Sequence, residues 1–192
     1  MAQEDINAKF DAKIQELEER LPQVPLYDCA EETLTTVLDV LGIDNYLFHN
    51  LAMPFGGGTG GYNSASGWRG ACGAVIGGCA AIGVILGGHE KMDIHDIMKP
   101  MSRAAKYAGE FEKEFGTVVC NELCGYDFSN PADVKGYLQS GKGSTTCYKY
   151  VVWAVDMVRK LTEDELKSNW EEWTEKSGES ESINENQDAS EE

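Results

Sequence analysis

A chain of 192 residues can bury a full hydrophobic core without metal or disulfide staples. Its 16 basic and 33 acidic residues leave a formal charge of −17. That excludes nucleic acid and anionic membrane surfaces as partners, since both demand an excess of Lys and Arg. The 21 glycines and six cysteines fit neither a collagen-like chain nor a disulfide-dense miniprotein.

Ile6, Phe10, Ile14, Leu17 and Leu21 recur every three or four residues, which predicts an amphipathic helix ending before Pro22. Asp28 is a good N-cap for a second helix through Leu34, Val37, Leu38 and Leu41 to Gly42. A third, shorter helix follows Asp44 and stops near Pro54. The stretch FGGGTGGYNSASGW reads as a tight loop passing close to other backbone. An apolar, glycine-rich helix from about Gly70 to Leu86 comes next. At about 16 apolar residues it is short for a membrane span and reads as a buried helix.

A helical turn is expected over 93–99, then a helix beginning at Pro100 and running through Tyr107, Phe111 and Phe115 to Gly116. Asn130-Pro131 marks a short helix, and the last strong one runs from about Thr146 to Leu161. A weaker acidic helix is expected over 162–175. Twelve acidic residues and two lysines lie between 162 and 192. From Lys176 onward too little apolar surface remains to offset ordering entropy, which predicts a disordered acidic tail. With no alternating β-branched runs, the expected class is all-α: a compact multi-helix domain around the central glycine-rich helix.

Chemistry is sparse outside the cysteines. The glycine loop has neither a preceding strand nor GK[ST] or GxGxxG spacing, so it does not read as a phosphate cradle. His49, His89 and His95 form no HExxH or i,i+4 pair. The N-terminus carries no basic-apolar leader, so the expectation is a reducing cytoplasm, where cysteines are thiols or metal ligands. The six lie at 29, 72, 79, 120, 124 and 147, without a CxxC pair. That removes the thioredoxin motif, the zinc ribbon and CxxCH haem attachment.

Cys29, Cys72, Cys120 and Cys147 fall at expected helix starts, where the helix dipole favours thiolate. Such thiolates can converge on one metal or iron–sulfur centre. Cys79 lies two turns beyond Cys72, about 10 Å along the same helix, too far for one site. It reads as a small core residue. Cys124 is one turn from Cys120 and is a spare thiol or an alternate ligand. Spacing alone also leaves six inert buried cysteines as a reading.

The segments DCAEETLTTVLDVLGID, FGGG, CGAVIG, FEKEFGTVVCNELCGYD and TTCYKYVVWAVDMV occur in that order. Together they resemble the C_GCAxxG_C_C family of redox-active proteins over roughly Tyr27 to Leu161. The resemblance implies a four-cysteine redox domain over 27–161, with Cys29, Cys72, Cys120 and Cys147 binding a prosthetic group such as an iron–sulfur cluster. A similar domain accompanies haem-binding segments in split-Soret cytochromes; without CxxCH, the haem part does not carry over. The chain departs from the family in its N-terminal amphipathic helix (1–26), the insert GGYNSASGWRGA, and the acidic extension over 162–175 and 176–192.

Widely spaced ligands without local CxxC pairs favour iron–sulfur, [2Fe–2S] or [4Fe–4S], with zinc as runner-up. The expected function is electron transfer or redox accessory work with a redox protein partner, rather than stand-alone catalysis. The alternatives are a thiol–disulfide protein, using for example Cys120 with Cys124 or two cysteines brought together by the fold, and an interaction module with a structural metal. Tyr62 and Trp68 in the insert are candidate anchors of a homodimer.

Overall fold

The computed structural model describes residues 5–26, 28–88 and 91–168. His89, most of the expected acidic helix and the tail from Lys176 lie outside the described residues. The chain is all-α. Helix α1 (Ile6–Arg20) precedes α2 (Cys29–Val40) and α3 (Tyr46–Ala52). A 3₁₀ turn at Met53–Phe55 leads into the single turn α4 (Gly56–Thr59). Then follow α5 (Gly73–Gly87), α6 (Met98–Phe115), α7 (Cys120–Cys124), α8 (Pro131–Ser140) and α9 (Tyr148–Leu161). Among the described residues there is no strand, only isolated bridges between Asn63 and Arg69 and between Ala71 and Val119. No described helix is long and apolar enough to cross a membrane.

The centre is α5, packed between α2, α6 and α9. Its glycines each cost about 1 kcal/mol of helix propensity relative to Ala. Close approach gives the reason for them. A Cβ on Gly77 would sit 2.5 Å from the Ala30 carbonyl oxygen, and one on Gly78 would sit 2.3 Å from the Tyr107 ring. The Tyr107 hydroxyl donates to the Ala74 carbonyl at 2.8 Å, tying α6 to α5. On the opposite side α1 lays Phe10 and Leu17 into the same core, against α9 and α2. Residues 163–168 are helical; Leu166 is buried and Glu165 pairs with Arg103 of α6 at 3.0 Å.

Three helix starts differ from expectation. α5 begins at Gly73 rather than Gly70, because residues before it are extended and the Cys72 N–H donates to the Val118 carbonyl at 2.7 Å. α6 begins at Met98, with Pro100 inside the first turn, where its missing N–H has no intrahelical partner to lose. α9 has no free N-terminus: a π-helical turn at Gly143–Cys147 runs directly into it.

Candidate functional site

Five cysteines meet at one place. A cavity of about 30 Å³ is lined by Cys29, Cys72, Cys120, Cys124 and Cys147, walled by Tyr137, Tyr150 and Phe128, and bordered by Gly57 and Leu123. All four cysteines expected from the sequence are among them, and Cys124 is the fifth. Cys79 is elsewhere: its thiol points toward the Ala104 carbonyl of α6, 3.9 Å away. His49 pairs with Glu31 at 2.9 Å on the exposed side of α2, and His95 lies in an exposed turn.

Each thiol is placed by a specific local device. Cys29 opens α2 because the buried carboxylate of Asp28 accepts from the Ala30 and Glu31 amides at 2.8 and 3.0 Å. Such a cap contributes about 1 kcal/mol. Burial, the larger influence, nonetheless pushes the Asp28 carboxyl above its ordinary range. Cys72 is the N-cap of α5, and Gly73 lets α2 approach it: a Cβ there would meet the Ala30 nitrogen at 2.7 Å and Cys29 Cβ at 3.1 Å.

Cys120 opens α7, whose backbone is pinned to the strand-like residues before α5 by the Cys120 N–H donating to the Gly70 carbonyl at 3.1 Å. Gly58, at φ 76°, passes against both Cys120 Cβ and the Gly70 carbonyl, each 3.0 Å from where its own Cβ would be. The glycine loop is therefore a wall of the cysteine chamber. Cys124 closes α7, its thiol 3.5 Å from the Tyr126 carbonyl. The Tyr150 hydroxyl donates to the Leu123 carbonyl at 3.4 Å, fastening α7 to α9.

Cys147 corrects the helix-start expectation. It sits inside a continuous π-to-α segment, so no free helix N-terminus faces it. Its thiol is drawn below its ordinary value by a hydrogen bond with Cys29, opposed by burial and aided by Tyr137. The Cys29 thiol is correspondingly pushed well up, by its hydrogen bonds with Cys147 and Cys72 and then by burial. Cys120 and Cys124, one turn apart on α7, form a second pair of interacting thiols. Within it Cys120 is raised, while Cys124 is lowered to about 7 by the Cys120 thiol. Tyr150 is pushed up to about 12 by burial and then by the surrounding sulfurs. Cys79, isolated from the others, is pushed up to about 11 by burial alone.

The wall holds no carboxylate or imidazole. Five soft donors on four separate stretches of chain, two of them on α7, suit a thiophilic metal or an iron–sulfur cluster by their chemistry. As described, the thiols contact one another, and among the described residues no group of three His, Cys, Asp or Glu side chains is arranged to hold a single metal ion. The aromatic wall was not legible in the sequence. Tyr150 falls one turn after Cys147, which is a weak signal, but Tyr137 and Phe128 arrive through α8 and its preceding loop and carry no local signal.

Neither the curated proteins nor the solved structures contain a match to this chain. A family model does match: the one described as "Putative redox-active protein (C_GCAxxG_C_C)", over residues 27–161. That span includes all five chamber cysteines and every element that places them, from the Asp28 cap to α9; the chain belongs to the C_GCAxxG_C_C family of redox-active proteins.

Proposed function

We propose that the chain binds an iron–sulfur cluster in the thiol chamber, with Cys29, Cys72, Cys120 and Cys147 as ligands, and exchanges electrons with a redox protein partner. One observation carries this reading: cysteines from four separate elements line a single cavity whose wall holds no carboxylate or imidazole to compete with them. When bound, such a cluster supplies one-electron chemistry at a potential set by its surroundings. The chain's own contribution is positional. α2, α5, α7 and the π turn each present one ligand sulfur, Tyr137 closes one side of the cavity with its hydroxyl donating to the Leu26 carbonyl at 3.5 Å, and Phe128 and Tyr150 limit water.

The test is anaerobic purification followed by iron and acid-labile sulfide assays and a visible spectrum. Iron and sulfide in equal amounts, with charge-transfer bands that bleach on reduction, support the proposal. A colourless protein holding zinc supports the structural-metal alternative.

A second reading rests on the gathering of thiols around one cavity, above all Cys29 and Cys147. In a metal-free chain, a disulfide between them would release two electrons and two protons to an oxidant such as a small-molecule disulfide. A loss of two free thiols per chain, with no iron bound, favours it. The homodimer proposal rests on Tyr62 and Trp68, which are 59% and 51% exposed with ring centroids 5.8 Å apart. Light scattering decides between one and two chains.

A further inference from the structure

The chamber offers five thiols, one more than a four-ligand site uses. The surplus is not spread evenly. Cys29, Cys72 and Cys147 come from three different elements, so each supplies a sulfur that no neighbour in sequence duplicates. Cys120 and Cys124 both come from α7, at its two ends and one turn apart. Residues at i and i+4 share a helix face, about 6 Å apart along the axis. Both line the cavity.

The helix that carries them is held as a unit. Its first amide bonds to the Gly70 carbonyl, and its Leu123 carbonyl accepts from Tyr150. Left-handed glycines lie at both flanks, Gly116 at φ 84° and Gly125 at φ 78°. Either sulfur can therefore be presented to the same side of the chamber without moving α2, α5 or α9.

We infer that Cys120 and Cys124 are interchangeable ligands for one position of the site: either binds the metal as thiolate while the other remains a protonated thiol beside it. The inference rests on the cluster reading above and goes beyond it in the identity of the fourth ligand. An exchange of roles breaks one metal–sulfur bond and forms another. One proton passes from the incoming thiol to the departing thiolate. No electron is lost or gained, and no further reactant is needed. For this chain the consequence is that oxidation or alkylation of one α7 cysteine leaves a complete ligand set.

The experiment compares the full chain with Cys120→Ala, Cys124→Ala, the double variant and Cys72→Ala, all purified anaerobically. Alanine is chosen because a serine oxygen can itself ligate. Iron and sulfide per chain, the visible and paramagnetic spectra, and far-ultraviolet circular dichroism are read for each. Each single α7 variant is expected to retain most of its iron and sulfide, with a shifted spectrum in at least one of them. The double variant and Cys72→Ala are expected to lose most of theirs. Such strong non-additivity is the signature of two groups serving one role.

If Cys120→Ala alone is as empty as the double variant, or Cys124→Ala alone is, the inference is overturned while the cluster reading stands. If the unaltered chain holds no iron or sulfide, both fall. Native alkylation of the loaded, unaltered chain gives a check independent of folding. Label divided between Cys120 and Cys124 supports exchange, and label confined to one of them overturns it.

Discussion

Helix α5 has a crowded half and an open half, and the two treat the same residue types differently. In the first half, Gly73, Gly77 and Gly78 stand where any Cβ would collide with α2 backbone or with Tyr107. In the second half, Gly83 has nothing within 4 Å of where a Cβ would be, and Gly87 has only Met92 Cε at 3.5 Å. The cysteines follow suit. Cys72, at the crowded end, lines the chamber beside Cys29, whereas Cys79, two turns on, packs against the core with its thiol toward the Ala104 carbonyl. Glycine at the crowded end is a spacing device: it sets how closely the sulfur of α2 approaches that of α5.

The strongest way to break this contrast is to add one carbon at the crowded end. Gly77→Ala and Gly78→Ala are each expected to destabilise the fold by about 3 kcal/mol, the upper part of the range for overpacking a close-packed core. Gly77→Ala should also lower iron content, because the displaced backbone belongs to Ala30, next to Cys29. Urea unfolding and metal analysis read the two effects separately. Full iron content in a Gly77→Ala protein would show that the spacing of α2 and α5 does not set the site.

Thiol reactivity sharpens the comparison next. In the metal-free chain, raising the pH through about 7 should expose Cys124 to iodoacetamide well before Cys79, which should follow only as the pH approaches 11. The linkage signs are opposite. The folded value of Cys124 lies below its ordinary 9.0, so its contribution to stability is present above pH 9 and is lost as pH falls through 7. That of Cys79 lies above 9.0, so its contribution is present below pH 9 and is lost as pH rises through 11. Mass spectrometry of peptides alkylated across this range gives the order directly, and early labelling of Cys79 would contradict its burial.

Cys79→Ser should cost about 1 kcal/mol or slightly more, since a hydroxyl is placed in a mostly apolar contact. It should leave iron and sulfide unchanged; a loss of either would mean that Cys79 reaches the chamber. The smallest effect is a gain. Gly83→Ala is expected to stabilise the protein by up to about 1 kcal/mol, the propensity difference with no steric cost. A loss of stability there would show that the open half is packed more tightly than its clearances imply.

Local chemistry was enough to read α1, α2, α3 and α8. Their signals are an apolar period and a capping side chain, both carried within a few residues, as at Asp28 and Asn130. The convergence of Cys29, Cys72, Cys120 and Cys147 was legible from helix starts and from the ordered family motif, even though Cys147 proved to lie within a continuous helical segment. The starts of α5 and α6 were less legible. A tertiary bond from Cys72 to Val118 ends the extended stretch in one case, and a proline tolerated inside the first turn misplaces the boundary in the other.

The sequence by itself determined that the chain is helical and that its centre is rich in glycine, because periodicity and caps are local properties; the set Cys29, Cys72, Cys120 and Cys147 was an expectation from helix starts and the family resemblance. Only the tertiary structure decided that Cys124 joins those four, that Tyr137, Tyr150 and Phe128 enclose them, and that the glycine loop is their wall. Those facts depend on which distant segments come within a few ångströms of one another. Such distances are set by packing α2, α5, α7 and α9 around glycines that leave no room for a side chain, and no window of neighbouring residues encodes them.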